Sequence, residues 1–358
     1  MAELVGYKCP NCGGNVVFSA ATQNMVCESC SSSFTEDELK QYEEAFRSAE
    51  AESNYNWQQA GDGTELKDMN KYTCQSCGAE IITDATTAAS ACPYCDSPII
   101  MKAQLSGENQ PDCIIPFKID KNAAAKCLEQ ACKKKILLPK GFLSEKKIAE
   151  IKGVYVPFWM FDSNVSARLV YEGTKVHTWS TAKYIYTKTS YFDIFRAGTI
   201  DFANIPVDAS SKMDDAYMDS IEPYNYAELS EFSPNYLSGF LADKYDVTIE
   251  QCKPRAVQRI ENSTQDSFRS TVTGFQSVKL KSASINADNG SYKYALLPVW
   301  MLTTKFRGKT YISAVNGQTG KVAGELPVDK RKFWLLTAGI TAGIFAAAQL
   351  LIFGGMLL

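Results

Sequence analysis

Eight of the chain's twelve cysteines form four CxxC pairs that repeat at one spacing. Cys9-Pro10-Asn11-Cys12 precedes Cys27-Glu28-Ser29-Cys30, and Cys74-Gln75-Ser76-Cys77 precedes Cys92-Pro93-Tyr94-Cys95. Fourteen residues separate the pairs in both sets. A CxxC turn aims two sulfurs at one point, and two such turns complete a tetrahedron with Zn–S bonds of about 2.3 Å. Gly13 and Gly78 follow the second cysteine of their turns, where positive φ is needed. The first residues carry no basic stretch followed by an apolar one, which predicts a chain kept in a reducing compartment. Paired cysteines there are read as metal ligands and not as disulfides.

These spacings predict two zinc ribbons, at 1–35 and 71–102, holding two structural Zn2+ ions. The ligands are Cys9, Cys12, Cys27 and Cys30 in the first and Cys74, Cys77, Cys92 and Cys95 in the second. Four thiolates leave no open coordination position, so neither site is expected to be catalytic. Iron in a rubredoxin-like site stays chemically open. A redox CxxC would open a helix in a βαβ unit, and none is visible. With a net charge of −3 and a pI near 5.5, the chain is not built to coat nucleic acid. Lys8 is the sole cation from Met1 through Cys30, and none lies between Cys74 and Cys95, where Glu80 and Asp84 stand without a nearby offset in sequence. Phosphate binding needs several cations, so protein binding, or simple structural capping, is the favoured role for the ribbons.

Residues 36–70 read as an acidic helical linker, with Thr35 as N-cap and acids in the first turn. From 112 to 328 the pattern predicts an α+β domain of two related strand-rich halves. Asp120 caps a helix with Ala124, Cys127, Leu128 and Ala131 on one face. A second helix is expected over about 248–271, with Val257 and Ile260 inward and Pro254 as a point of interruption, and Ser233-Pro234 opens a third. The halves are inferred from an echo: Tyr155-Val156-Pro157-Phe158-Trp159-Met160-Phe161 against Leu296-Leu297-Pro298-Val299-Trp300-Met301-Leu302. Asp288-Asn289-Gly290 and Asn316-Gly317 mark hairpin turns.

No charge occurs from Phe333 to Leu358, which predicts a single transmembrane helix at 333–358. Lys330-Arg331-Lys332 precedes it, so the domains before it are expected in the cytoplasm, giving a single-pass cell-membrane protein. Gly339 and Gly343 form a GxxxG that suits homo-oligomer packing. No catalytic constellation emerges. His177 is the one histidine, and Asp214, Asp215, Asp219 and Glu222 read as a solvated helix face and loop. There is no phosphate loop, nucleophile elbow or HExxH, so the chain is not expected to be an enzyme.

Together the ribbons, "VPFWMFD", "IPVDASSKMDD", "YLSGFLADKYDV", "LLPVWML", "NGQTGKVAGELPVDK" and the apolar tail resemble a bacterial family of TFIIB-type zinc-ribbon-containing membrane proteins. The resemblance covers nearly the whole chain. It implies a Gram-positive family, some members of which are encoded beside phage-shock-protein-A-type and SPFH-type or virion-core-like scaffold proteins and help place them on the membrane in envelope stress. Only the eight ribbon cysteines are carried over as functional positions. The leading expectation is therefore a membrane-anchored, cytoplasm-facing adaptor that recruits protein partners. A membrane-tethered nucleic-acid-binding ribbon protein and a membrane-bound enzyme of unknown reaction are the alternatives.

Overall fold

The computed structural model describes residues 9–10, 16–20, 22–28, 32–48, 55, 57–61, 69–83, 91–97, 101–104, 109–139, 141–142, 150–287 and 290–354. Cys12, Cys30, Gly13, Asp84 and the Asp288-Asn289 turn lie outside them. In chain order, β1 (Val16–Ser19), β2 (Asn24–Cys27) and β3 (Ser33–Phe34) precede α1 (Glu36–Ser48) and β4 (Trp57–Gln59). Next come β5 (Asn70–Thr73), β6 (Glu80–Thr83), β7 (Met101–Gln104), β8 (Cys113–Ile114) and α2 (Lys121–Lys133). Two long strands, β9 (Lys152–Ser180) and β10 (Ile185–Asp208), lead to α3 (Asp215–Ile221), β11 (Ser230–Glu231), β12 (Leu241–Asp243) and α4 (Ile249–Ser270). The chain closes with β13 (Ser277–Ala287), β14 (Gly290–Phe306), β15 (Lys309–Asn316), β16 (Val322–Gly324) and α5 (Lys330–Gly354).

Two compact units share these elements. The first comprises Met1–Asp62, Trp159–Val207 and Ile249–Lys293. At its start β1, β2 and β3 form an antiparallel meander, and α1 follows from a reciprocal capping box. The Thr35 N–H donates to Glu38 Oε2 at 2.7 Å, and the Glu38 N–H donates to Thr35 Oγ1 at 3.2 Å. Leu39 of α1 is fully buried against Cys9, Val16 and Cys27. Further on, β9 pairs with both β10 and β13, setting Ala167 opposite Ile285. Helix α4 buries Cys252, Ala256, Ile260, Thr264 and Phe268, one stripe at a spacing of four. Pro254 falls early in that helix and does not break it, because it forfeits a single backbone hydrogen bond there. Toward the junction of β9 and β10 the burial pattern ends. Trp179, Tyr184, Ile185, Tyr186 and Tyr191 are exposed, and His177 stacks on Trp179, which stacks on Tyr186.

The second unit comprises Gly63–Phe158, Asp208–Thr248 and Tyr294–Leu358. Its strands run β11-β8-β14-β9-β12-β6-β5-β7, with β15 and β16 added along β14. Val154 through Phe158 and Tyr294 through Leu302 are buried almost without interruption, the mark of strands covered on both faces. Helix α2 is capped by the Asp120 carboxylate, which accepts the Ala123 N–H at 2.7 Å. It buries Ala124, Leu128 and Cys132 against Ile151, Trp300, Leu302 and Val315. Cys132 replaces Ala131 on the expected stripe, and Cys127 is half-buried beside it.

This fold corrects the expected class in three respects. Strand outweighs helix, 43% against 26%, in a large mixed sheet, so an α+β domain is too helical a description. The two echoed motifs sit in neighbouring strands, β9 and β14, and do not found two separate halves. Both runs are apolar throughout because both faces are covered. Finally, among the described residues no helix is long and apolar enough to cross a membrane, which overturns the single transmembrane helix at 333–358. Helix α5 starts inside the basic run, and its side chains are described continuously only to Phe345.

Candidate metal centre

The second cysteine set assembles as its spacing requires. Strands β5 and β6 form an antiparallel hairpin, with Thr73 opposite Glu80, and the first CxxC occupies its turn. The Gly78 N–H donates to the Cys74 carbonyl at 2.8 Å, and the Cys74 N–H donates to the Ala79 carbonyl at 2.9 Å. The second CxxC repeats this loop. The Asp96 N–H donates to the Cys92 carbonyl at 3.0 Å, and the Cys92 N–H donates to the Ser97 carbonyl at 2.9 Å. Both loops turn through positive φ, 73° at Gly78 and 60° at Asp96. Glycine takes that conformation freely and aspartate tolerates it. The glycine is the position that the sequence marks for this turn; Asp96, directly after the second CxxC, takes the same place.

All four sulfurs lie within 4.8 Å of one another, with Cys74 to Cys95 and Cys77 to Cys92 each at 3.6 Å. Tetrahedral Zn–S bonds of about 2.3 Å place sulfurs roughly 3.8 Å apart, whereas a disulfide needs about 2.05 Å. The donor set therefore fits one four-thiolate metal ion and is compatible with zinc. Cys74 and Cys92 are buried, and Cys77 and Cys95 are partly exposed. Burial pushes the thiols of Cys77 and Cys92 up. At Cys95 burial also acts upward, but hydrogen bonds from the Ser97 hydroxyl and backbone and from Cys74 and Cys77 outweigh it, bringing the thiol to about 6.

Side chains remote in sequence clamp the second loop. Lys152, at the start of β9, donates to the carbonyls of Ala91 and Cys92 at 3.4 Å each and bridges Asp96 at 3.2 Å. Thr303 of β14 donates to the carbonyls of Pro93 and Tyr94. Tyr94, buried, donates its hydroxyl to Asp243 Oδ2 at 2.6 Å, and the Ser210 hydroxyl donates to the same oxygen at 2.6 Å. Asp243 closes β12, which pairs antiparallel with β6 through Ala242–Ile82 and Asp243–Ile81. Its carboxyl is 1% exposed, and burial drives its pKa to about 7 against those hydrogen bonds. Glu80, which lacks an offset in its own segment, is bridged by Lys71 at 2.8 Å and Lys244 at 3.1 Å. Those cations outweigh burial and hold its carboxyl below the usual range.

The first cysteine set is described in part. Cys9 and Cys27 are buried, and the Cys27 N–H donates to the Ser32 carbonyl at 2.9 Å, the same five-residue closure as Cys92 to Ser97. Cys12 and Cys30 lie outside the described residues, among which the one four-cysteine group assembled is Cys74, Cys77, Cys92 and Cys95. Cys113, Cys132 and Cys252 are buried core thiols. His177 is exposed at the aromatic strand pair. Asp214 caps α3, accepting the Ala216 N–H at 2.8 Å. Asn316-Gly317-Gln318-Thr319-Gly320-Lys321 is the turn between β15 and β16, closed by the Asn316 carboxamide, which accepts the Gln318 and Thr319 N–H groups at 2.9 Å each.

No family model matches the chain, and no solved structure does. An uncharacterized protein, YdjG, of Bacillus subtilis (strain 168) is 38% identical over 357 residues, which cover 98% of this chain and 99% of YdjG. Similarity of that depth across both full lengths shows that the chain belongs to the same protein family as YdjG.

Proposed function

We propose that this protein is an adaptor: zinc fixes its cysteine-rich loops, its exposed aromatic strand pair binds a protein partner, and α5 docks it on a membrane surface facing the cytoplasm. The observation that carries the reading is the strand pair formed by the ends of β9 and β10. From Thr174 to Phe192 it contains Lys175, Lys183 and Lys188 and no carboxylate, and it exposes Trp179, Tyr184, Ile185, Tyr186 and Tyr191. Contiguous exposed aromatics beside cations are the composition of interaction hot spots, and the charge favours an acidic partner. A purely structural strand pair would carry polar side chains there.

Two ions, one per cysteine set, complete the proposal. Both are structural, since four thiolates leave no position for substrate. The cations around the second set are engaged with Glu80, Asp96 and backbone carbonyls, which supports protein binding over nucleic-acid binding. For the membrane surface, the support is α5, where Trp334, Leu335, Ile340, Ile344 and Phe345 are exposed after Lys330-Arg331-Lys332. Apolar helix faces beside cations bind anionic lipid interfaces.

The test is affinity capture with the intact chain and with Trp179→Ala/Tyr186→Ala, both residues being exposed. Phage-shock-protein-A-type and SPFH-type scaffold proteins, the partners implied by the family resemblance, are probed first. Loss of the captured protein in the double variant, at unchanged zinc content, supports the adaptor reading. An identical captured set from both proteins refutes it.

A further inference from the structure

At the foot of α5 the second unit has a groove of about 560 Å3, lined by the end of α2 and the segment after it, by β16 and the segment after it, and by the first turns of α5. Leu128, Ile136, Leu138, Val322, Leu326 and Leu336 give it apolar walls, and Lys134 and Lys135 stand among its lining residues. Among the described residues no carboxylate lines it. The volume is typical of small-molecule sites, which span roughly 300–1,000 Å3.

The groove is tied to the helix that leaves it. The Asp329 N–H donates to the Leu137 carbonyl at 2.8 Å, and Lys332 Nζ donates to the carbonyls of Leu138 at 2.7 Å and Ile136 at 3.4 Å. Lys332 is thereby occupied, while Lys330 and Arg331 are exposed beside it. The site thus joins an apolar slot to a cationic border formed by Lys134 and Lys135. A neutral apolar peptide would leave those charges unanswered, and a soluble anion would leave the slot bare. An amphiphile with an acyl chain and an anionic head answers both.

We infer that this groove binds the acyl chain of an anionic phospholipid, with the head phosphate held by Lys134 and Lys135. The inference deepens the membrane-surface part of the proposed function and takes its ligand from that surface. It is tested on the intact chain by displacement of a fluorescent polyene fatty acid, cis-parinaric acid. Lysophosphatidylglycerol should displace the probe at least about tenfold better than lysophosphatidylcholine of the same chain length. Lys134→Glu, a change at an exposed residue, should abolish that preference. Ala131→Trp, which fills the slot, should weaken probe binding by about tenfold or more.

Equal displacement by the two lysolipids would overturn the assignment. So would displacement by oleate alone, which would make the ligand a free fatty acid, and so would a Lys134→Glu protein with the preference intact. Sedimentation of the wild-type chain with phosphatidylglycerol vesicles is read separately. Vesicle binding without a lysolipid preference sinks the groove alone. A lysolipid preference without vesicle binding sinks the membrane-surface reading alone.

Discussion

Replacing Asp243 by asparagine should remove one component of the fold's pH dependence. Asp243 is 1% exposed and its carboxyl is raised to about 7 by burial, against the hydrogen bonds from Ser210 and Tyr94. In the unfolded chain the group returns to about 3.9. Between those values the folded protein holds a proton that the unfolded chain releases. Stability from this group is therefore full below the unfolded pKa and is lost as pH rises through the folded one. A gap of roughly three units, at 1.36 kcal/mol each, is worth about 4 kcal/mol in all. Of this, about 3 kcal/mol is lost between roughly pH 5 and pH 8. The amide keeps the shape but cannot titrate. The assay is hydrogen exchange across 241–243 and 91–97 in the zinc-loaded chain, wild type against Asp243→Asn, at several pH values. Titration of the thiolates is common to both proteins and cancels in the difference. The wild-type advantage should shrink as pH rises. A difference that does not vary with pH refutes the assignment of a buried, proton-holding carboxyl.

Cys92→Ser should remove one equivalent of zinc from the intact chain, read by elemental analysis; unchanged metal content would contradict the centre built by Cys74, Cys77, Cys92 and Cys95. Gly290→Ala would bring a Cβ to 2.2 Å from the Asp162 carbonyl and 2.6 Å from the Trp57 ring, so it should destabilise the first unit by about 1–3 kcal/mol in denaturant unfolding, and a neutral result would refute that packing. Leu128→Ala, at a fully buried position of α2, should cost about 2–5 kcal/mol in the second unit by the same measurement.

What was legible in the sequence was local. The CxxC spacing fixes two sulfurs through a single turn, so the centre at Cys74, Cys77, Cys92 and Cys95 follows from residues close in the chain. Thr35 and Asp120 were readable for the same reason, because a cap acts within three residues. The α4 stripe was readable in outline, although Ala256 and not Val257 takes the buried position beside Ile260. What was not legible acts at a distance. Asp243 meets Tyr94 across 149 residues, Lys152 meets Cys92 across 60, and Thr303 meets Tyr94 across 209. No pattern within one segment announces such partners. The echo of the two Trp-containing motifs was over-read because strands buried on both faces lose the alternation that separates one sheet role from another.

These distant contacts change what a metal ion at this centre would do. A free-standing ribbon of about thirty residues has too little core to fold without zinc, so nearly all of its order comes from the ion. Here the two loops of the second set differ. The Cys74–Cys77 loop rests on the β5–β6 hairpin. The Cys92–Cys95 loop is held by Lys152, by Thr303 and, through Tyr94, by Asp243, all three in strands of the second unit's sheet. Half of the ligand set is therefore pre-organised by protein contacts. Binding need not order that half, so less of the ion's free energy is consumed in folding and more appears as affinity. Chelation should accordingly open the Cys74–Cys77 loop first and reach β6 and β12 only afterwards. An ion held by these four cysteines would act less as the core of a small module than as a clasp between a hairpin and the sheet it extends.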